Sequence, residues 1–207
     1  NELEGLLQNG SLIPLAIFDK PDPLNGPFFE ESLYITPSRL PKQTRDLIIT
    51  TTAQALSALG LKDGPVHAEL RINSLGAYVI EVGARTIGGL CARSLQFGTG
   101  MSLEEIVLRH TLGLELPSTQ REGHASGVMM IPIPEAGELK AVTGEKDALF
   151  VPGIEDVTIS IPIGQRLIQL PEGNKYLGFI FAKAETPESV EAALREAHRR
   201  LAFEISV

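Results

Sequence analysis

The chain has 207 residues, 43% of them hydrophobic and 21% charged, with a formal net charge of −8. That is enough apolar material to bury a core, and the acidic balance argues against nucleic-acid binding, which needs clustered Lys and Arg. A single cysteine, Cys91, excludes an internal disulfide and favours a cytoplasmic location, and no apolar run approaches the roughly 20 residues that cross a bilayer, so no membrane partner is expected.

Taken in order, residues 2–7 and 12–18 are short apolar runs joined by Gln8-Asn9-Gly10-Ser11. Asn-Gly is the strongest tight-hairpin signal, so the segment reads as strand, turn, strand. Because the chain opens without Met inside this alternating pattern, it reads as a fragment of a longer protein. Pro21, Pro23, Gly26 and Pro27 form a rigid loop, and residues 28–36 read as a mixed strand ended by Pro37. A helix is expected over 41–59, with Leu47, Ile48, Ala55, Leu56 and Leu59 at helical spacing and Gly60 as its C-terminal stop.

Residues 66–72 and 77–82 alternate as two strands around the turn Asn73-Ser74-Leu75-Gly76, and a Gly-rich loop, residues 83–90, follows. Ser102 with Glu105 is a capping box for a helix to about residue 111. Residues 118–123 are polar and read as a domain seam. Beyond them, 128–133, 138–142, 157–161, 167–170 and 177–182 are short strands. Thr186 and Pro187 then start a last helix with an apolar stripe of Val190, Ala193, Leu194, Ala197 and Leu201.

Glu69 and Glu81 fall near the middles of the two central strands, each between apolar neighbours. A short turn brings such carboxylates near one another on one face, where they repel unless a cation sits between them. Paired carboxylates suit Mg2+, which takes one or two of them together with phosphate oxygens. Arg85, in the exit loop, offers a bidentate donor for a carboxylate or phosphate. On spacing alone, a plain reading competes and is favoured: Glu69 and Glu81 as solvent-face partners of Arg71 and Arg85. Lys20 is equally an anion contact or a solvated charge. His67 shares the face of Glu69 and reads first as a packed histidine. His110, His124 and His198 show no zinc spacing, and no P-loop string occurs.

The string His67-Ala68-Glu69-Leu70-Arg71-Ile72-Asn73, followed by Tyr78-Val79-Ile80-Glu81-Val82-Gly83-Ala84-Arg85, resembles the end of an ATP-grasp domain. In that superfamily, glutamates on two successive late strands bind magnesium, with Asn common two residues after the second and Arg two further on. Gly83 stands in the Asn place, which points away from biotin carboxylase-like members and toward the bacterial L-amino acid ligases. Glu4-Gly5-Leu6-Leu7, Ala16-Ile17-Phe18-Asp19-Lys20 and Glu30-Glu31-Ser32-Leu33-Tyr34-Ile35-Thr36-Pro37-Ser38 are similar to the strands that precede the metal hairpin in those ligases.

The resemblance implies an α+β chain with two domains. Residues 1–116 are expected to form the carboxyl-terminal half of an ATP-grasp domain, an antiparallel sheet with helices, and residues 117–207 a small α/β ligase domain. The implied activity is ATP-dependent joining of a carboxylate and an amine, both amino acids, through an acylphosphate. ATP and Mg2+ (or Mn2+) are the implied cofactors. Glu69 and Glu81 are the implied metal ligands, with Lys20 beside them at the cofactor. Arg85 is the implied catalytic group and orients the substrate carboxylate. Glu31 is placed to contact the substrate amine, Tyr34 falls near a position that is histidine in at least one dipeptide ligase, and Gly89 leaves room where an aromatic walls the pocket. A homodimer is compatible with this reading. The alternatives are a non-catalytic binding or accessory module and a structural interaction domain.

Overall fold

Asn9 and Gly10 take positive φ, 52° and 80°, and close a tight hairpin between β1 (Glu2–Gln8) and β2 (Ser11–Phe18) in the computed structural model, which describes residues 1–22, 32–170 and 172–206. Two positive-φ residues match the twist of the flanking strands, which is why Asn-Gly serves here. β4 (Gly64–Asn73) and β5 (Gly76–Gly83) make the second hairpin, and the antiparallel sheet runs β2-β1-β4-β5. β1 is central and buried along nearly its whole length.

One face of this sheet carries Leu3, Ala68 and Leu70 and receives α1 (Lys42–Ala58) through Ile48. The helix buries Ile48, Thr52 and Leu56, a strict i, i+4, i+8 row. Leu47 and Leu59, expected on that stripe, are 40% and 62% exposed. Thr52, fully buried, fills the row instead, where apolar counting looked for leucine. The opposite face carries Glu2, Glu4, His67, Glu69 and Glu81, the row from which the site is built.

The described chain divides into two units: Asn1–Asp19 with Thr36–Gly123, and Lys20–Ile35 with His124–Val207. β3 (Leu33–Thr36), the described part of the strand expected over 28–36, joins the second unit's sheet, ordered β10-β12-β8-β3. Residues 118–123, expected as a domain seam, end where the first unit ends, at Gly123, and are themselves paired. The Gly98 N–H donates to the Gln120 carbonyl at 2.9 Å and the Glu122 N–H to the Gln96 carbonyl at 2.9 Å, so the segment pairs alongside β6 (Gln96–Phe97). β7 (Met101–Ser102) leads into α2 (Leu103–Thr111), where the Ser102 hydroxyl accepts from the Glu105 N–H at 3.2 Å.

In the second unit, β8 (Ala125–Ile131), β10 (Ile154–Ile159) and β12 (Gly178–Ala184) are joined by β9 (Gly137–Thr143), α3 (Glu145–Leu149) and β11 (Arg166–Leu167). α4 (Pro187–Arg200) buries Val190, Ala193, Leu194 and Ala197 on a core of Leu33, Ile35, Met129, Ile131 and Ile180. Gly127 permits this close packing: a Cβ there would sit 2.7 Å from the Tyr34 carbonyl and 2.8 Å from Val190. β13 (Ala202–Ser206) was not expected from sequence and pairs with β9 in a second sheet, ordered β11-β9-β13. Mixed helices and antiparallel sheets make the chain α+β. No helix among the described residues is long and apolar enough to cross a membrane.

Candidate functional site

β1, β4 and β5 align their acidic residues in rows. Glu2 pairs with Glu69, and Glu69 with Glu81, in register across three strands. One step along, Glu4 pairs with His67 and His67 with Gly83. Strict alternation along β5 would put Glu81 on the face of Val79, which packs against the α1 core. A bulge shifts the register between Glu69 and Leu70, making Ile80 the extra residue and bringing Glu81 onto the face of Glu69. The Glu69 side chain is 24% exposed and that of Glu81 55% exposed, so solvent reaches the pair.

The other acids of this face are sealed. Glu2 is 0% and Glu4 1% exposed, with His67 at 3% between them. His67 Nδ1 contacts Glu4 Oε1, while His67 Nε2 lies 3.6 Å from Glu69 Oε1 and 4.0 Å from Glu2 Oε1. Burial disfavours the imidazolium, but hydrogen bonds to Glu4 and Glu69 and the charges of Glu4 and Glu2 outweigh it and raise the His67 pKa to about 10. The same burial pushes Glu4 up, against the opposing effect of its bond to His67. Glu4 Oε2 also accepts from the Ile87 N–H at 3.1 Å, which ties the Gly-rich loop to the sheet.

Arg85 folds back from that loop. Its Nη2 lies 3.4 Å from Glu81 Oε1 and its Nη1 donates to the Thr86 carbonyl at 2.9 Å. A Cβ on Gly83 would stand 3.1 Å from Arg85 Cγ and 3.2 Å from Nε, so the guanidinium arm lies over the bare backbone of Gly83. Gly89 is exposed, with φ 61°, in the same loop.

The second unit holds the other named residues. Lys20 Nζ lies 5.2 Å from the centroid of the Tyr34 ring, a cation–π contact, and Tyr34 is 4% exposed. Glu31 lies outside the described residues. The structure thus groups Glu69, Glu81 and Arg85 in one unit and Lys20 and Tyr34 in the other. Sequence reading passed over Glu2 and Glu4. Their alternation in β1 was the available signal, but the pairing of β1 with β4 joins residues more than 60 apart and leaves no local mark.

The donor set fits a hard divalent cation: two carboxylates directly opposed across a ladder, partly open to solvent, with a guanidinium beside them. Glu2, His67 and Glu69 also bring ligand atoms within 4.8 Å of one another. The imidazole there is already committed to its acids.

Comparison with known proteins follows this geometry. The family model described as "ATP-grasp domain" matches residues 2–94, which include Glu69, Glu81 and Arg85. The model described as "L-amino acid ligase C-terminal domain 2" matches residues 129–206. The solved L-amino acid ligase from Bacillus licheniformis superposes with a TM-score of 0.83 at 29% identity, over 100% of this chain and 51% of that one. Alanine–anticapsin ligase of Bacillus subtilis is 27% identical over 107 residues, 51% of this chain and 22% of its own length. The biotin carboxylase domain of Hydrogenobacter thermophilus 2-oxoglutarate carboxylase, solved with MgADP and bicarbonate, shares the fold at 20% identity with a TM-score of 0.65, over 99% of this chain and 45% of that one. The chain spans well under half the length of the curated relatives it matches and about half that of the solved structures. With an ATP-grasp domain matched over residues 2–94, an L-amino acid ligase C-terminal domain matched over residues 129–206, and its whole length superposing on a solved L-amino acid ligase, the chain resembles the carboxyl-terminal portion of an ATP-grasp ligase of the L-amino acid ligase type.

Proposed function

We propose that this chain carries the metal-facing strands of an ATP- and Mg2+-dependent ligase that joins two amino acids through an acylphosphate. The observation that carries this reading is the direct opposition of Glu69 and Glu81 on the solvent-reachable side of one sheet face, with Arg85 against Glu81. Glu69 and Glu81 would hold the cation, which would supply neutralisation of phosphate charge in phosphoryl transfer. Arg85, with 51% of its side chain exposed, is accessible to a substrate carboxylate that would replace its contact with Glu81. Its planar donor fork suits a carboxylate or acylphosphate oxygen, and it screens charge where negative charge builds. Lys20, held over the Tyr34 ring, is the cation that the family resemblance assigns to phosphate or substrate, and the same resemblance assigns Glu31, Tyr34 and Gly89 to the amino-acid substrate.

The test is ATP-dependent ADP release by the full-length protein across a panel of amino-acid pairs, with dipeptide identified by mass spectrometry. Amino-acid-stimulated ADP release supports the ligase. An intact protein inert across the panel supports the second reading, a binding or accessory module on the same fold. The 207-residue chain by itself is expected to turn over negligibly.

A further inference from the structure

Resting on the ligase reading above, we propose that Glu4 and His67 are a positioning pair, holding Glu69 and the loop that bears Arg85 in one fixed relation. Cation and anionic substrate then meet ligands already in place. Neither residue touches the reacting groups; both act through neighbours.

The geometry is a continuous chain of contacts. The Ile87 N–H donates to Glu4 Oε2 at 3.1 Å, Glu4 Oε1 engages His67 Nδ1, and His67 Nε2 faces Glu69 Oε1 at 3.6 Å. Glu4 therefore uses both oxygens, one on the sheet and one on the loop. The chain links a backbone amide two residues past Arg85 to a carboxylate that opposes Glu81 across the ladder. Sequence separation makes the tie specific. Glu4 and Ile87 are 83 residues apart, and Glu4 and His67 are 63 apart.

Burial says what kind of device this is. With Glu4 1% and His67 3% exposed, neither end rotates into water. A buried acid–base pair gives little net stability relative to apolar residues of the same volume, because desolvation consumes most of the attraction. What it adds is direction at both ends. Groups that orient a metal ligand from behind in this way typically change metal affinity or activity about 10–100-fold when removed.

The experiment is a Mn2+ titration of the 207-residue chain, with and without ADP, read by electron paramagnetic resonance of free Mn2+, alongside amide exchange at Ile87 and thermal melts. His67→Gln and Glu4→Ala are expected to weaken Mn2+ binding about 10–100-fold, and Glu4→Ala to speed exchange at Ile87. Glu4→Gln keeps an oxygen for the Ile87 N–H and an amide for His67, and is expected to recover most of the affinity. A pair that serves stability alone lowers the melting temperature in the variants and leaves Mn2+ affinity, measured well below that temperature, at the wild-type value; this result overturns the proposal. Should Glu4→Ala not fold, His67→Gln and the isosteric Glu4→Gln carry the same decision. Mn2+ binding that Glu69→Gln abolishes but His67→Gln leaves intact overturns the positioning role alone. A wild-type chain that binds no Mn2+ overturns the metal reading, and the positioning role with it.

Discussion

Glu69 and Glu81 oppose one another across β4 and β5 with one extra residue, Ile80, accommodated beside them. A strand alternates faces with a period of two, so a single inserted residue moves everything beyond it to the other side. Here the insertion separates Val79, which packs on the α1 core, from Glu81, which faces Glu69. Ile80 and Glu81 are consecutive exposed residues, the mark that such a bulge leaves.

If this pair holds the cation, removing one charge without changing shape abolishes metal-dependent chemistry and little else. Glu81→Gln in the full-length protein is expected to lower ADP formation by more than about 100-fold, since even groups behind a metal ligand cost about 10–100-fold. At 55% side-chain exposure, Glu81 contributes little to the fold, so the melting temperature should hold. A Glu81→Gln enzyme with normal ADP formation removes Glu81 from the site.

The bulge also separates two stability outcomes on neighbouring residues. Ile80 is 61% exposed, so Ile80→Ser is expected to change unfolding free energy by less than about 0.5 kcal/mol. Leu70 pairs beside the bulge on the other face and is 2% exposed, and Leu70→Ala is expected to cost about 2–5 kcal/mol. Urea unfolding of the two variants checks the assignment of faces, and equal losses contradict it.

Much of the first unit's sheet was readable because its signals are local. Asn9-Gly10 and Asn73 to Gly76 each close a hairpin whose two strands are neighbours in sequence, and Ser102 and Thr186 cap helices within one turn. What stayed hidden is non-local. The pairing of β1 with β4 sets Glu2 against Glu69 and Glu4 against His67, and nothing near any of the four residues announces it. Tyr34 likewise reads as continuous with the strands before it, yet β3 joins the sheet of β8, nearly a hundred residues on. His67 was read as packed, and it is buried. Its partners are acids, because a register fixed elsewhere delivers them. The α1 stripe misled for another reason: Thr52 is fully buried in the row, yet it counts as polar in any apolar pattern.

Gly83 bears on how Arg85 is held. With Arg85 Cγ and Nε 3.1 and 3.2 Å from where a Cβ would stand, Gly83→Asn is expected to push the arm off the sheet and break its contact with Glu81. The ion pair is solvent-exposed and worth under about 1 kcal/mol, so the melting temperature should barely move. The expected effect is a raised KM for the carboxylate substrate in the full-length protein. An unchanged KM means that Arg85 reaches its ligand from more than one starting position.

Gly144 in the second unit has no such slack. Its φ is 86°, and a Cβ would lie 1.8 Å from the Arg200 carbonyl oxygen, where the end of α4 passes over the start of α3. Left-handed backbone costs an L-residue roughly 1–2 kcal/mol before any clash is counted. Gly144→Ala is therefore expected to destabilise the chain by more than about 2 kcal/mol, read by urea unfolding, because backbone cannot step aside as a side-chain tip can. A smaller loss means that the α3–α4 junction moves as a body.

Asp22 contributes to the pH response of the second unit. It accepts from Arg195 Nη2 at 2.5 Å and from the Ser32 hydroxyl. Burial pushes its pKa up, but the hydrogen bonds of Ser32 and Arg195 and the Arg195 charge outweigh this and lower it. A carboxylate lowered on folding stabilises the native state fully above its unfolded pKa of about 3.9, and that contribution is lost as pH falls through the lower folded value. Both partners are about a third exposed, which limits the contribution to under about 1 kcal/mol. Acid unfolding of Asp22→Asn against the parent chain is the check. The variant is expected to be slightly less stable near neutrality, and the gap should close below about pH 4 as the parent's own carboxylate takes up its proton. A gap that persists at low pH assigns the effect of Asp22 to packing and hydrogen bonding, not to its charge.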